Sequence, residues 1–254
     1  MSDRRVNMDR SIGDRRPSIS AIPYREASGG KISYLLSEPE RIALARIATT
    51  VRFARGAPIY QQGDAAQNVY NISSGVVRTS RTAADGSRSI VAFLFPDDLF
   101  GLAVEGTYVN NATAVTAVTA WRLPVAALEA VLRRDPTLEW HILVKLCHEL
   151  REAQLHALIL ARHSALTRLA MFVLMLARSQ EARNESDADI YLPMTRSDIG
   201  AYLGLTLAAI SRSFRTMQGR GLVRFSDRRH LRIVDGAGLQ GLVNLGATTS
   251  DPEA

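Results

Sequence analysis

The sequence predicts an α+β protein with a strand-rich N-terminal half, one long helix and a helical C-terminal domain that ends in a β-hairpin. Three observations lead to this prediction. Short apolar runs alternate with turn signals through residues 51–123. An apolar stripe at helical spacing runs through residues 136–162. Residues 195–218 then contain two short amphipathic helices joined through Gly204, and residues 222–234 have the pattern of two strands around a turn.

Length and composition fit two packed domains with a basic surface. The chain has 254 residues, of which 46% are hydrophobic, and its formal net charge is +6. Only Lys31 and Lys145 among the 31 basic residues are lysines. Arginine offers a planar fork of donors that suits phosphate and guanine. A bias toward arginine codons would explain the same preference, so composition alone does not identify a nucleic-acid partner.

Cysteine usage and the apolar runs indicate a cytoplasmic protein. Cys147 is the single cysteine, which excludes an internal disulfide framework and an iron–sulfur cluster held by four thiolates of one chain. No apolar run approaches the length of a membrane span, and we expect no membrane association. The arginines near the N-terminus are not followed by an apolar core, so we expect no secretory signal.

The first 135 residues divide into an extension and a strand-rich domain. Residues 1–30 are polar and rich in Arg, Ser and Gly, and we expect them to form a flexible extension. Residues 31–135 are expected to form an antiparallel barrel or sandwich. Ser37 and Glu40 have the spacing of a capping box at the start of a short helix. Asp85-Gly86 predicts a hairpin turn, because glycine accepts a positive φ angle.

Residues 136–162 predict a helix that pairs with a second copy of the chain. A stripe sustained over such a length suits a coiled-coil partner and indicates a homodimer. Its members are Ile142, Leu146, Leu150, Ala153, Ala157 and Leu160. A helix that lies on its own domain would show a similar stripe, and this alternative stays open.

The C-terminal domain is predicted over residues 163–240. Residues 164–182 are apolar almost all round, so we expect a buried helix there. The polar residues 183–190 predict a loop, and residues 241–254 are expected to form a flexible tail.

Residues 195–218 have the spacing of a helix-turn-helix. Thr195 and Asp198 form a second capping box, and Gly204 supplies the left-handed residue that ends the first helix. Thr206 caps the second helix. The packed positions are Ile199, Gly200, Leu203, Ile210 and Phe214. A glycine-joined pair in a plain helical bundle would look similar.

The residues that follow the turn are strongly basic. Between Thr206 and Val234 there are seven arginines and one acid, Asp227, which gives a local balance of +6. Phosphate neutralisation is the obvious use of such a balance. The hairpin after the second helix then corresponds to the wing of a winged helix. A scaffold that dimerises without binding DNA would have no use for these arginines.

The segment LPMTRSDIGAYLGLTLAAISRSFRTMQGRGLV resembles the DNA-binding domain of the Crp/Fnr family of bacterial transcription regulators, and most closely its Fnr and FixK branch. GAPIYQQGD, VYNISSGVVR and DGSRSIVAFLFPDDLFG resemble the family's cyclic-nucleotide-binding-like β-roll, and the long helix resembles its dimerisation helix. The resemblance covers roughly residues 35–240. It implies a homodimeric, sequence-specific DNA-binding regulator, most often an activator, that contacts RNA polymerase.

The resemblance also implies roles for individual residues. Ser211 and Arg212 match positions that read bases, with Arg212 placed to bond guanine bidentately. The expected phosphate contacts are Thr195, Arg196, Thr206, Arg215, Arg228 and Arg229. The branch usually has Glu three residues before the serine, where this chain has Ala208. Glu accepts a bond from cytosine, whereas the Ala208 methyl can only pack on thymine, so we expect a relaxed or altered preference at that base pair.

The β-roll is not expected to bind cAMP. A cyclic-nucleotide site in this fold needs a Gly-Glu pair for the ribose and an Arg-Ser pair for the phosphate. Here Leu102 follows Gly101, so the Glu is missing, and the segment GTYVNNATA contains no cation. Burying a phosphate without a positive partner would be costly.

Other effectors stay open. Haem remains an alternative because four histidines and Cys147 surround the long helix, although their spacing is more typical of solvated faces. These histidines are His141, His148, His156 and His163. Cys147 is either an oxidisable regulatory residue or a small, partly buried one.

No glycine-rich phosphate loop, metal-ligand set or nucleophile elbow is present, so we expect neither an enzyme nor a metal or other cofactor. The main expectation is a FixK-like regulator. The alternative is a regulator of the same fold that is gated by haem, redox chemistry or a small molecule in or near the β-roll.

Overall fold

The computed structural model describes residues 16–21, 33–83, 86, 88–103, 105–183 and 189–245. A strand-rich N-terminal domain, a long helix and a helical C-terminal domain follow one another, which confirms the predicted α+β architecture. No helix in the described ranges is both long enough and apolar enough to cross a lipid bilayer.

Two four-stranded antiparallel sheets form the N-terminal domain within these ranges. Their strands are β3 (Thr49–Phe53), β4 (Pro58–Tyr60), β5 (Asn68–Ser74), β6 (Val77–Thr82), β7 (Arg88–Leu94), β8 (Leu99–Phe100), β9 (Asn111–Ala114) and β10 (Val118–Pro124). The orders are β3-β10-β5-β8 and β4-β9-β6-β7. Ile72 from the first sheet and Val77 from the second are fully buried in the core between them. Alternation of inward apolar residues along each strand produces this two-layer packing.

The predicted hairpin joins β6 to β7, with Val77 opposite Leu94 and Thr82 opposite Arg88. Gly86 has φ of +79°, the conformation for which a glycine is favoured at a tight turn. Asp85, the other residue of the predicted turn, lies outside the described residues.

Part of the predicted flexible extension is bound to the N-terminal domain instead. Strand β1 (Ser20–Ala21) pairs with β2 (Ser33–Tyr34), and Ile19 is 1% exposed in the core. Asn71 accepts a hydrogen bond from the Ser18 N–H at 3.1 Å and donates one to the Ser18 carbonyl at 2.7 Å. The expectation of flexibility was therefore wrong for residues 16–21, because Ile19 provides an apolar anchor. Residues 1–15 and 22–30 lie outside the described residues.

Three helices complete the N-terminal half. They are α1 (Glu38–Ile47), α2 (Val125–Leu132) and the 25-residue α3 (Pro136–Leu160). The predicted capping box begins α1, where Glu40 accepts from the Ser37 N–H at 2.6 Å. Asp135 caps α3 by accepting hydrogen bonds from the backbone N–H groups of Thr137 and Leu138. These caps satisfy amide groups that the first turn of a helix leaves free.

Helix α3 has one face on its own domain and one face exposed. Leu138, Ile142 and Ile159 are buried against the rest of the chain. Leu150, by contrast, is 61% exposed, and Leu143 is 48% exposed. Ile142 was therefore wrongly included in the predicted intermolecular stripe, since it packs in the same core as Leu138. Helical spacing identifies an apolar stripe but does not say which flank its own domain covers.

The C-terminal domain contains four helices and a three-stranded sheet in the part of the chain that is described. These elements are α4 (Ala165–Ala182), β11 (Ile190–Tyr191), α5 (Arg196–Leu203), α6 (Leu207–Gly219), β12 (Val223–Phe225), β13 (His230–Ile233) and α7 (Gly236–Leu245). The strand order is β11-β13-β12. The sequence predicted α4, α5, α6 and the hairpin, but missed β11 and α7. The expected flexible tail begins too early, because residues 241–245 belong to α7, and residues 246–254 lie outside the description.

The two domains share one hydrophobic core. Ile90 of β7 is buried in the same cluster as Phe172 of α4 and Tyr202 of α5. The Phe93 ring lies 5.3 Å from the Tyr202 ring, between centroids. The position of the C-terminal domain is therefore fixed by direct packing on β7.

A buried ion network joins α3 to the β domain. Lys145 is 1% exposed, and its ammonium donates to Asp98 Oδ1 and lies against Glu149 Oε1, both at 2.7 Å. Burial alone would raise the pKa of Asp98, but the charge of Lys145 outweighs burial and lowers that pKa below its usual value. The two charges thus stabilise each other out of contact with water.

We predict that Lys145→Ala lowers the free energy of unfolding by about 3–5 kcal/mol, because it leaves a buried carboxylate without its cation. The stabilisation is present above the usual pKa of aspartate and is lost as the pH falls through the lowered pKa of Asp98. Denaturant unfolding at a fixed protein concentration measures both effects. Arg133→Ala is the control, since it removes only an exposed pair with Glu129 and should change stability little. Equal losses in the two variants would contradict the prediction.

Candidate nucleic-acid interface

The first helix of the predicted motif begins with the expected capping box. The Thr195 hydroxyl accepts from the Asp198 N–H at 3.1 Å. Asp198 Oδ2 accepts in return from the Thr195 N–H at 3.1 Å and from its hydroxyl at 2.7 Å. Thr195 and Arg196 are exposed at this end of α5. The cap therefore fixes the start of α5 while its first residues face solvent.

The turn between α5 and α6 is tight because two glycines permit it. Gly204 has φ of +63° and ψ of +38°, the left-handed conformation predicted for it. A Cβ atom on Gly200 would lie 2.6 Å from the carbonyl oxygen of Leu205. The Leu205 N–H donates to the Gly200 carbonyl at 2.9 Å. The backbones of the two helices can approach this closely only with glycine at position 200.

Side chains from α3 and α4 bind the last carbonyl groups of α5. His156 Nε2 lies 2.7 Å from the Tyr202 carbonyl oxygen, and its ring stacks on the Tyr202 ring at 3.8 Å. Arg168 donates to the Leu203 carbonyl at 2.9 Å and to the Arg162 carbonyl at 2.6 Å. Burial lowers the pKa of His156, so the neutral imidazole with its proton on Nε2 makes this bond. The sequence gave no sign of these contacts, because the partners are distant along the chain.

Helix α6 presents the predicted outer face. Thr206 caps it by accepting from the Ala209 N–H at 3.1 Å. Ile210 and Phe214 are buried against the domain, as expected. On the opposite side Ala208, Arg212 and Arg215 are exposed, Thr206 is exposed at the start, and Ser211 is half-buried. The spacing of polar and apolar residues therefore predicted the orientation of α6 correctly.

The turn between β12 and β13 is held by its single acid. Asp227 Oδ1 accepts from the Arg229 N–H at 2.6 Å and from the His230 N–H at 2.8 Å. The bond from the Arg229 amide is the first cause of the lowered pKa of Asp227, followed by the His230 side chain. Arg228 is exposed and Arg229 is half-buried. The carboxylate thus orders the turn instead of pairing with the neighbouring guanidinium groups.

The basic residues of this domain differ in whether an acid pairs with them. Arg232 donates to Asp189 Oδ1 at 2.7 Å, and this acid precedes it by 43 residues. Arg196 lies over the rings of Phe214 and Phe225, 5.4 Å and 5.6 Å from their centroids. Within the described ranges, no acidic side chain pairs with Arg196, Arg212, Arg215, Arg224, Arg228 or Arg229. These free cations surround the exposed face of α6 and form a surface suited to phosphate groups.

The remaining predicted residues lie on α3, away from this surface. Leu146, Leu150, Ala153, Ala157 and Leu160 are exposed. Cys147 is also exposed, so the interpretation of it as a partly buried residue is wrong. His141 bonds Glu40 at 2.8 Å, whereas His156 bonds Tyr202. The structure therefore gives these histidines separate partners, and no cluster of three metal-ligating side chains occurs among the described residues.

Aromatic rings fill one end of the β domain. Tyr60 and Tyr108 stack with their centroids 3.7 Å apart, beside Phe100. Gly101 has φ of +85°, and a Cβ atom there would lie 3.4 Å from each tyrosine ring. Burial is the main cause that raises the pKa of Tyr108 to about 12.

A cavity of about 660 Å³ extends from these rings along the groove between β7, α3 and α4. Phe93, Glu149, Met171 and Arg178 are among its lining residues. His148 also lines the cavity, and burial together with the charge of Lys145 lowers its pKa to about 4. The cavity therefore combines apolar walls with several charged groups.

Two family models match the chain. A cyclic nucleotide-binding domain matches residues 50–135, and a Crp-like helix-turn-helix domain matches residues 167–242. These ranges cover both sheets of the β domain and nearly all of the C-terminal domain.

Known regulators are similar to the chain over most of its length. The nitrogen fixation regulation protein FixK of Azorhizobium caulinodans is 34% identical over 78% of this chain and 81% of that protein. The transcriptional activator protein FnrA of Stutzerimonas stutzeri is 31% identical over 74% of this chain and 78% of that protein. The solved structure of FixK2 from Bradyrhizobium japonicum superposes with a TM-score of 0.72 at 32% identity, over 77% of this chain and 97% of that one.

Gly200→Ala should lower the free energy of unfolding of the C-terminal domain by about 1–3 kcal/mol, because the added methyl group must push α5 away from the turn. Gly219→Ala is the matched control. No atom lies within 4 Å of a Cβ at that position, and alanine favours the helix more than glycine does, so stability should stay level or rise slightly. Thermal unfolding of both variants tests this, and equal stability of Gly200→Ala and the unmutated chain would refute it.

Proposed function

Because this chain belongs to the Crp/Fnr family of DNA-binding transcription regulators, we propose that it acts as a homodimeric, FixK-like activator on an inverted-repeat DNA site, without cAMP or an iron–sulfur cluster. Members of this family are regulators and not enzymes, in agreement with the sequence. The observation that carries the proposal is the exposed face of α6, where Arg212 has no acidic partner among the described residues. The cytoplasm, where bacterial DNA lies, is the compartment in which such a protein acts.

Arg212 and Ser211 are the residues proposed to read bases. Arg212 lies on the exposed side of α6, directly opposite the buried Phe214 and Ile210. A guanidinium group at this place can bond the O6 and N7 atoms of guanine in the major groove. Ser211, half-buried beside it, is placed to contact a base edge.

Ala208 is the proposed source of an altered half-site preference. Its methyl group is exposed one turn before Arg212 on the same face of α6. A methyl group packs against the C5-methyl of thymine but accepts no hydrogen bond from cytosine. Discrimination at this base pair should therefore rest on an apolar contact alone.

Phosphate contacts are proposed for the cations and hydroxyl groups that flank α6. Thr195 and Arg196 lie at the start of α5, and Thr206 lies at the start of α6. Arg215, Arg228 and Arg229 extend this basic surface along α6 and onto the wing. Such contacts fix the register on the duplex and make affinity depend steeply on salt.

Dimerisation is proposed through the exposed face of α3. Leu146, Leu150, Ala153, Ala157 and Leu160 repeat at alternating intervals of four and three residues, the spacing of a coiled-coil seam. Leu143 extends the exposed face by one turn, and sequence analysis missed it. Pairing along this seam would present two α6 helices to successive major grooves, about 34–36 Å apart. Contact with RNA polymerase is proposed because FnrA carries the name of an activator.

The residues of the β domain do not fit a cyclic nucleotide. The Tyr60 and Tyr108 rings pack against Gly101, at the position that a ribose would need. Leu102 stands where the ribose-binding Glu is expected, and the segment from Thr107 to Ala114 contains no cation. A phosphate buried there would lack the positive partner that its charge requires.

An effector-gated regulator is the second candidate function, and one observation favours it. The cavity of about 660 Å³ between β7, α3 and α4 is large enough for a small molecule. Affinity for DNA measured with and without an extract of the cells that make the protein distinguishes the two candidates. A large increase on adding the extract would favour gating. Exposed Cys147 remains the residue through which oxidation would act.

Arg212→Ala should weaken binding to the specific site by about 1–3 kcal/mol and relax the preference at one base pair. Arg215→Ala is the matched control on the same face of α6. It should weaken binding to all sequences alike and reduce the dependence on salt. Titration of labelled duplexes with single base-pair changes measures both. Equal affinity of the unmutated protein for specific and random DNA would contradict the proposed function as a whole.

Leu150→Glu should make the protein monomeric at concentrations where the unmutated chain is dimeric, because it places two carboxylates in the proposed seam. Val234→Glu introduces the same charge at a 54%-exposed residue of the C-terminal domain and should leave the dimer intact. Sedimentation velocity reports the mass of each variant. A Leu150→Glu protein that remains dimeric would place the dimer interface elsewhere.

A further inference from the structure

A cleft where the two domains meet is lined by four arginines from three parts of the chain. Its volume is about 170 Å³. Arg196 belongs to α5, and Arg228 and Arg229 belong to the wing, whereas Arg55 lies in the β domain between β3 and β4. Neither the family resemblance nor the local charge pattern had singled out Arg55.

The charge of this cleft is uncompensated. Arg55 is exposed, and no acidic side chain in the described ranges pairs with it or with the other three arginines. The remaining lining residues include Met194, Thr195 and Phe225, but no Asp or Glu. Four like charges around a small cleft repel each other, so an anion that enters is favoured both by attraction and by relief of that repulsion.

The cleft exists because the domains are docked by an ion pair. Arg78 on β6 donates to Asp198 Oδ1 at 2.5 Å, and Arg88 on β7 lies 3.6 Å from the same oxygen. The side chain of Asp198 is only 5% exposed. Because Asp198 also caps α5, this contact fixes the start of α5 directly on the β domain.

The turn that carries Arg55 is fixed as well. The Gly56 N–H donates to the Ala114 carbonyl at 2.8 Å, and the Ala114 N–H donates to the Ala57 carbonyl at 3.0 Å. These bonds tie the segment to β9. Arg55 is thus held beside the wing by ordered backbone on both sides of the cleft.

We propose that Arg55 binds a phosphate of the DNA backbone together with Arg228 and Arg229, so that the β domain forms part of the DNA-binding surface. This inference rests on the proposed function, since the duplex that α6 reads is the one that reaches the cleft. Guanidinium groups bind phosphate oxygens bidentately, and such contacts add affinity without adding sequence preference. The DNA-binding surface then crosses the domain boundary.

The test compares Arg55→Ala with Arg52→Ala in the full-length chain. Arg52 is an exposed arginine on β3, three residues away, and it does not line the cleft. Arg55→Ala should weaken binding to specific and random duplexes by the same factor and lower the salt slope by about 0.9 per phosphate lost. Arg55→Lys, which keeps the charge, should restore most of the affinity, and Arg52→Ala should bind like the unmutated protein. Equal thermal midpoints show that the variants are folded.

Several results would overturn this inference. Unchanged affinity and salt slope for Arg55→Ala would remove Arg55 from the DNA surface. A changed ratio between specific and random binding would assign it to something other than a phosphate. Unchanged DNA affinity with weaker activation of purified RNA polymerase would assign the cleft to the polymerase. Loss of discrimination by the unmutated protein, in contrast, would strike at the proposed function.

Discussion

The carboxylate of Asp198 is shared between two tasks on which the DNA-binding surface depends. One oxygen caps α5 through the Thr195 amide and hydroxyl groups, and the other accepts a hydrogen bond from Arg78 of the β domain. The opposite end of α5 is bound by His156 and Arg168. Because α6 packs on α5 across the glycine contact, the orientation of the exposed face of α6 is set by groups that lie outside the winged helix.

Packing and charge cooperate in this arrangement. The shared hydrophobic core around Phe172 and Tyr202 supplies contact area but little directionality. The ion pairs of Asp198 and of Lys145 supply directionality, since charges this deeply buried are tolerated only with well-placed partners. The network around Lys145 joins α3 to the β domain, and the pair around Asp198 joins the β domain to α5. The long helix and the DNA-binding helices are therefore positioned against the same β domain.

Local signals in the sequence predicted the winged helix well. Thr195, Gly204 and Thr206 act through bonds to near neighbours, and the helical period separates Phe214 from Arg212, so a short window contains the necessary information. Contacts between distant segments were beyond such a window. Asp189 neutralises Arg232, and Arg55 stands beside the wing, only because the folded chain brings them together. Ile142 was assigned to the wrong side of α3 for the same reason, and the two-residue strand β11 was too short to show a pattern.

The two hydrogen bonds of Arg168 have a consequence for how the chain tolerates change in length. This side chain connects the Arg162 carbonyl, in the short segment between α3 and α4, with the Leu203 carbonyl at the end of α5. A residue inserted into that segment would shift one acceptor relative to the other and rotate α4 about its axis. Variation in length is therefore far better accommodated in the β-domain loops than at this junction, where a single added residue would re-aim both α6 helices of a dimer.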